Sequence, residues 1–328
     1  MWVSVAMLVA GLAILAVAAD RFVLAAARLS RHWGLSPVLV GALVVGMGTS
    51  APELLVSALA SIDGELDLAV GNAVGSNVAN VTLVLGVTAL CAPLSGAARV
   101  LRREGIAMLI AVTALAVMLY DLELSRIEGF VLLAGMVVAS VFIVRWARLD
   151  ATLPVSSLER TEEQPKGEGE DGEPAIAPGK EIAFGLVSLV STLAGAELLV
   201  KGGTALASAL GMGSAFIGMT LVAVGTSLPE LATSVAGVRR NEDDLVVGNV
   251  LGSNLFNALA VAGVAATLSP GVVETRFRVA SITMVICSAL AGWFAFTGRK
   301  IVRWEGMLLL VGFLAFVLMS YTGGLQVR

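Results

Sequence analysis

Long apolar runs recur along almost the whole chain, each close to the roughly 20 residues a helix needs to cross a bilayer. Hydropathy divides them into ten predicted membrane helices, at 2–28, 36–60, 66–93, 104–120, 126–146, 181–207, 214–238, 244–268, 278–297 and 303–322. The first run closes on "AVAAD", which resembles a signal-peptide cleavage site. The preceding "MWVSVAML" has no basic residue, so the segment is read as a membrane helix. Two runs break their own pattern. "GTSAPELLVSA" at 48–58 sets Pro52 and Glu53 where hydrocarbon is expected, and "GTSLPELATSV" at 225–235 does the same with Pro229 and Glu230. A proline removes a backbone hydrogen bond and a carboxylate in the bilayer loses its hydration, so each placement is costly.

The two breaks belong to a duplication. Gly48 and Gly225 are 177 positions apart, and that offset holds without a gap on both sides of them. Gly41 meets Gly218, Gly48-Thr49-Ser50 meets Gly225-Thr226-Ser227, and Pro52-Glu53-Leu54 meets Pro229-Glu230-Leu231. Ser57 meets Ser234, Gly71-Asn72 meets Gly248-Asn249, Gly75-Ser76-Asn77 meets Gly252-Ser253-Asn254, and Asn80 meets Asn257. Asp20 matches Glu197 at the same offset. Chance likeness between apolar helices would align Leu with Val instead of these rare intramembrane residues.

Charge orients the halves. The loop with Asp63, Glu65 and Asp67 holds no base and is expected outside, while its counterpart holds Arg239 and Arg240 and is expected in the cytoplasm. Arg28 and Arg31, Arg99, Arg102 and Arg103, Arg145 and Arg148, and Arg299, Lys300 and Arg303 fall on the Arg239 side. Arg126, Lys201, Arg276, Arg278 and Arg328 are the exceptions. Five helices per half then turn the second half upside down. The predicted architecture is an all-α integral membrane protein of ten transmembrane helices in two inverted five-helix repeats. The first repeat covers 1–148 and the second 181–328, joined by an acidic, Pro- and Gly-rich cytoplasmic linker at 149–180 with almost nothing apolar to bury. Both termini are expected outside, in a multi-pass protein of the cell membrane.

Composition fits this picture: 57% hydrophobic, 14% charged residues, a mean hydropathy of +0.91 and a net charge of −4 divided between loops. One histidine and two cysteines exclude a disulfide framework and most metal–thiolate sites, and Cys91 and Cys287 read as packing residues. Around the breaks, Thr49, Ser50, Glu53 and Ser57 share one predicted helical face, as do Thr226, Ser227, Glu230 and Ser234. Ser76, Asn77 and Asn80 make a second stripe, matched by Ser253, Asn254 and Asn257. Carbonyls freed by Pro52 and Pro229 add to these oxygens, because polar backbone at membrane depth needs some other partner. An all-oxygen set with no imidazole or thiolate suits Ca2+ or Na+, not zinc, copper or iron. Two glutamates supply a charge of −2, enough for one Ca2+ or two monovalent ions.

Other readings are weaker. The glycines at 71 and 75 and at 248 and 252 also fit close helix packing. Glu197 reads as an ion pair with Lys201, Asp20 as a structural residue beside Arg21, and His32 as solvated. A channel would also line its path with Ser, Thr and Glu, but the inverted repeat and broken helices favour a transporter. Ser50 and Ser227 lack a base for nucleophilic chemistry, since His32 lies in a loop, so no enzyme activity and no cofactor are expected.

The paired "GTSAPE" and "GTSLPE" motifs, followed by "GNAVGSNVAN" and "GNVLGSNLFN", resemble the cation/calcium exchanger superfamily, specifically its prokaryotic sodium/calcium antiporters. The resemblance covers nearly the whole chain. It implies that Glu53 and Glu230 ligate both ions, with Thr49 and Thr226 offering backbone carbonyls to calcium. It further implies that Ser50, Ser76, Ser227 and Ser253, with the carbonyls of Gly46 and Ala223, form flanking sodium sites. Asn80 and Asn257 would complete the centre. Family members often carry Asp at one of these last two positions, whereas this chain has Asn at both. The proton-coupled branch tends to carry a second acid in the Asn-rich helices, so its absence favours sodium over protons; the alternative is a Ca2+/H+ or K+-linked antiporter. The implied partners are Ca2+, Na+ and the lipid bilayer, with no nucleic acid and no protein partner.

Overall fold

The computed structural model describes residues 2–95, 98–152, 178–210, 223–298 and 300–323. The described chain is almost wholly helical: α1 (Trp2–Trp33), α2 (Pro37–Thr49), α3 (Ala51–Ile62), α4 (Leu66–Cys91), α5 (Ala98–Met118) and α6 (Arg126–Thr152). After most of the acidic linker, which lies outside the described residues, come α7 (Pro178–Ala209), α8 (Ala223–Thr226) and α9 (Leu228–Arg239). The chain continues with α10 (Asp243–Leu268), α11 (Arg276–Gly298) and α12 (Arg303–Gly323).

Seven of the described helices are long and apolar enough to cross a membrane, or eight if α2 and α3 form one bent span. The chain is a multi-pass membrane protein. Two of the ten expected spans fall short for identifiable reasons. Helix α5 carries Arg102, Arg103 and Glu104 close together, and the span expected at 214–238 begins in residues outside the description.

The duplication is visible element by element. Helices α3 and α9, and α4 and α10, start and stop 177 residues apart. So do four short strands: β1 (Leu94–Ser95) matches β3 (Gly271–Val272), and β2 (Glu123–Leu124) matches β4 (Lys300–Ile301). Pairing exchanges them between halves, with β1 antiparallel to β4 and β2 antiparallel to β3. Local signals repeat as well. Glu128 accepts the Ser125 N–H at 2.7 Å, and Glu305 accepts the Val302 N–H at 2.9 Å, closing the first turns of α6 and α12. Gly64 and Asn241, the equivalent turn residues after α3 and α9, both take positive φ, and each suits the left-handed region.

Helices α4 and α10 form the centre. The apolar window of α10 is 100% buried and that of α4 is 72% buried, whereas the α12 window is only 17% buried. Protein surrounds the two central helices, so their polar residues face other helices and not lipid. Helix α1 lies along α7 at the periphery, where side chains such as Val9, Leu12, Leu186 and Val187 are exposed. Cys287 packs as expected, but Cys91 is exposed at the end of α4, where the chain turns out of the helix.

Candidate functional site

Each "GTSxPE" motif breaks its helix at the serine. Ser50 has φ −85° and ψ 8°, and α2 and α3 meet at 43°. Ser227, between α8 and α9, has nearly the same backbone, φ −88° and ψ 4°. Pro52 and Pro229 sit in the first turn of the following helix, where a missing N–H costs least. Glu53 and Glu230 lie in the same first turns, so each carboxylate is held at the positive end of a helix dipole. Both are fully buried.

The break corrects one expectation. Thr49, Ser50 and Glu53 do not share a continuous face, and Ser50 serves the other half of the molecule. Its hydroxyl donates to Glu230 Oε1 at 2.8 Å, with Thr49 also facing Glu230. Reciprocally, Thr226 and Ser76 face Glu53. The Gly46 carbonyl accepts the Ser253 hydroxyl at 3.1 Å, as well as the Ser50 N–H at 3.0 Å. Each carboxylate therefore meets a hydroxyl from the opposite repeat.

The helices packed around the two glutamates carry a set of buried polar atoms without partners. Both Glu53 carboxylate oxygens, Glu230 Oε2, the whole side-chain amides of Asn80 and Asn257, and the Ser227 hydroxyl complete no hydrogen bond. Asn77 and Asn254 fold their NH2 groups onto the carbonyls of Ala73 and Val250, at 2.8 and 3.0 Å, leaving Oδ1 of each without a donor. Buried polar groups are normally paired, and a buried carboxylate without a counter-charge is costly. A hard cation bound by the oxygens of this set would relieve the cost of the unpaired acceptors and of the uncompensated carboxylates. Among the described residues, no group of three or more His, Cys, Asp or Glu is placed to hold a metal, so the donors are hydroxyls, amides, carbonyls and two carboxylates.

The close approach of α2 to α10 holds the site together. A Cβ on Gly252 would lie 2.2 Å from the Ala42 carbonyl oxygen, and one on Gly248 would lie 2.4 Å from that of Val38. Only glycine permits this contact, which agrees with the packing role read from 248 and 252. The counterpart contact for Gly71 and Gly75 falls on residues outside the description. Ala223 opens α8 and lies at the edge of the described segment.

Ser57 and Ser234 point elsewhere. Ser57 donates to the Ala69 carbonyl at 3.1 Å and accepts from Asn72 at 2.9 Å, and Ser234 accepts from Asn249 at 3.1 Å. Asn72 and Asn249 are thus clamps that sequence reasoning left among the repeat matches without a role. Asn72 also donates to the Glu53 carbonyl at 3.0 Å, and Asn249 Oδ1 accepts the Thr49 hydroxyl at 3.4 Å. Three π-helical stretches also went unanticipated: Gly41–Gly46, Asn80–Val84 and Phe256–Val261. Each inserts an extra residue into a turn, and Asn80 and Asn257 sit at the entry of theirs. Asp20 is paired with Arg240, not Arg21, through bonds of 2.7 and 2.8 Å, while Glu197 does meet Lys201 at 2.9 Å.

Comparison with known proteins places the chain in a family. The family model described as "Sodium/calcium exchanger protein" matches residues 3–145 and 180–322. The chain is 39% identical to a putative antiporter, CaxA, of Alkalimonas amylolytica, covering 96% of this chain and 98% of that one. It is 31% identical to the sodium/calcium exchanger MaX1 of Methanosarcina acetivorans, covering 97% and 99%. The solved structure of the sodium-calcium exchanger NCX_Mj, soaked with Na+ and Sr2+, superposes with a TM-score of 0.81 at 32% identity, covering 96% of this chain and 98% of that one.

Proposed function

Because the chain belongs to the sodium/calcium exchanger family, we propose that it is a secondary antiporter exchanging Ca2+ for Na+ by alternating access at one central site. One observation carries this reading: two fully buried glutamates at equivalent helix breaks, surrounded by unsatisfied amide and hydroxyl oxygens. Glu53 and Glu230 are the shared ligands. Asn80, Asn257, Ser76, Ser253, Ser50 and Ser227 complete the oxygen set, with Thr49 and Thr226 and the carbonyls of Gly46 and Ala223 beside them. Asn77 and Asn254 contribute their free Oδ1 from the next position along each helix. A charge of −2 is neutralised by one Ca2+ or by two Na+. Left empty, it opposes passage of the site through a low-dielectric closed state, which enforces exchange over leak.

The ten-helix inverted repeat draws support from the loop contacts. The loops that carry most of the Arg and Lys meet one another: Arg31 with Glu242 at 2.7 Å, the Ser95 N–H with Asp243 at 3.0 Å, and β1 with β4. The opposite group also meets itself, through Glu274 N–H to Asp67 at 2.9 Å, Arg278 to the Tyr120 carbonyl at 2.9 Å, and β2 with β3. The basic group is assigned to the cytoplasm, which puts the linker there and both termini outside.

Calcium uptake into sodium-loaded proteoliposomes tests the proposal. Uptake requiring internal sodium, and lost in Glu53→Gln, is the expected result. Uptake driven by a pH gradient alone, or only with internal potassium, would replace sodium as the coupling ion.

A further inference from the structure

Away from the ion site, a cavity of about 410 Å³ opens between α5 and α11. Its mouth carries the exposed apolar side chains Ile106, Trp293 and Phe296, and its floor is formed by α4 and α10. The walls are open because two of their residues are glycines: a Cβ on Gly105 or Gly292 meets nothing within 4 Å. One end is basic. Arg102 and Lys300 both line the cavity there, beside the β1–β4 ribbon, and the Arg102 guanidinium stands 5.5 Å over the Phe296 ring. Lys300 also faces Asp243, whose carboxylate is engaged by the Ser95 N–H. A long apolar trough opening among exposed apolar residues and ending in two cations fits an amphiphile with an anionic head.

We propose that this cavity binds an anionic glycerophospholipid, its phosphate between Arg102 and Lys300 and one acyl chain along α5 and α11. Val81, beside Asn80, lies on the floor, so the occupant would press directly on a helix of the ion site. The test is native mass spectrometry of the full chain equilibrated with dioleoyl phosphatidylglycerol or dioleoyl phosphatidylcholine. The expected result is retention favouring phosphatidylglycerol by about 10-fold or more, since each cation near an anionic head contributes of order one decade or less. That preference should vanish in Arg102→Gln/Lys300→Gln. Gly292→Leu keeps both cations but fills the trough, and should lose the lipid too. Equal retention of the two lipids, wild-type retention in both variants, or displacement by millimolar inorganic phosphate would each overturn the proposal.

A different observation carries a second inference, which rests on the exchanger reading with its inverted repeat. An ideal inverted duplication makes the two access states equal in energy. Here one face bears ion pairs whose counterparts at the 177 offset are not oppositely charged. Arg240 holds Asp20 with two bonds and Arg31 holds Glu242, tying α1 to the α9–α10 corner. At the 177 offset, Asp20 and Arg240 become Glu197 and Asp63, two acids, and Arg31 and Glu242 become Ser208 and Glu65. We infer that these pairs latch the Arg240 face closed and make the access states unequal.

The readout is the ratio of apparent calcium affinities at the two faces of oriented proteoliposomes. Asp20→Asn should shift it by about threefold or more, a modest figure because the pair is partly exposed. The reversed pair Asp20→Arg/Arg240→Asp should restore it. An unchanged ratio in Asp20→Asn sinks the latch alone, whereas a wild type that exchanges no calcium sinks the transport reading. In that event hydrogen exchange still decides, because unaltered protection of the α1 end in Asp20→Asn refutes the latch without any transport.

Discussion

Gly252→Ala tests how far the ion site depends on one backbone contact. The new Cβ would fall 2.2 Å from the Ala42 oxygen, 2.5 Å from its Cα and 2.7 Å from its carbonyl carbon. All three are main-chain atoms, so no rotamer change relieves the clash. Helix α2 must retreat by about 1 Å to restore ordinary contact, since carbon atoms pack at about 3.5–4.0 Å. That retreat stretches the 3.1 Å bond from Ser253 to the Gly46 carbonyl beyond hydrogen-bonding range. Overpacking of this kind costs about 1–3 kcal/mol, and the lost hydrogen bond about 1 kcal/mol more. Misplaced supporting groups typically lower metal affinity by about 10- to 100-fold. Calorimetric titration of calcium, with thermal unfolding in the same detergent, measures both effects. Gly292→Ala, which meets nothing within 4 Å, is the control and should behave as wild type. If Gly252→Ala binds calcium normally and melts at the wild-type temperature, the argument that this approach positions the site is wrong.

Three further outcomes follow from the same geometry. Glu53→Gln and Glu230→Gln should each abolish exchange yet unfold no earlier than wild type in ion-free buffer, because an uncompensated buried charge has been removed; a folded variant with normal exchange would refute the ligand assignment. Asn249→Ala removes donors to Ser234 and Thr233 and an acceptor for Thr49, so thermal unfolding should register a loss of about 1–3 kcal/mol, and no shift would show the clamp to be dispensable. Calcium at about 100 times its dissociation constant should stabilise the protein by about 2.7 kcal/mol, and chelation should reverse this; a melting temperature indifferent to calcium would mean the buried oxygens do not hold it.

Much of this protein is legible without coordinates, because polar groups in an apolar background are expensive and therefore conspicuous. Pro52, Glu53, Asn80 and their equivalents stand out against Leu and Val, and the offset of 177 that links them is a property of the chain alone. The helix breaks, the oxygen-only chemistry and the paired halves follow from local sequence and from the cost of burying charge. Partner choice does not. That Ser50 donates to Glu230 and not toward Glu53, that Asp20 takes Arg240 over its neighbour Arg21, and that Ser57 turns to Ala69 and Asn72 all depend on how closely separate helices approach. The π-helical turns at Asn80 and Phe256 leave no mark in hydropathy, since one extra residue in a turn leaves composition unchanged while rotating every side chain beyond it. The chain alone determined which polar residues stand at membrane depth, and only the tertiary packing decided which of them come together, because a hydrogen bond forms over about 3 Å and a sequence pattern carries no distances between helices.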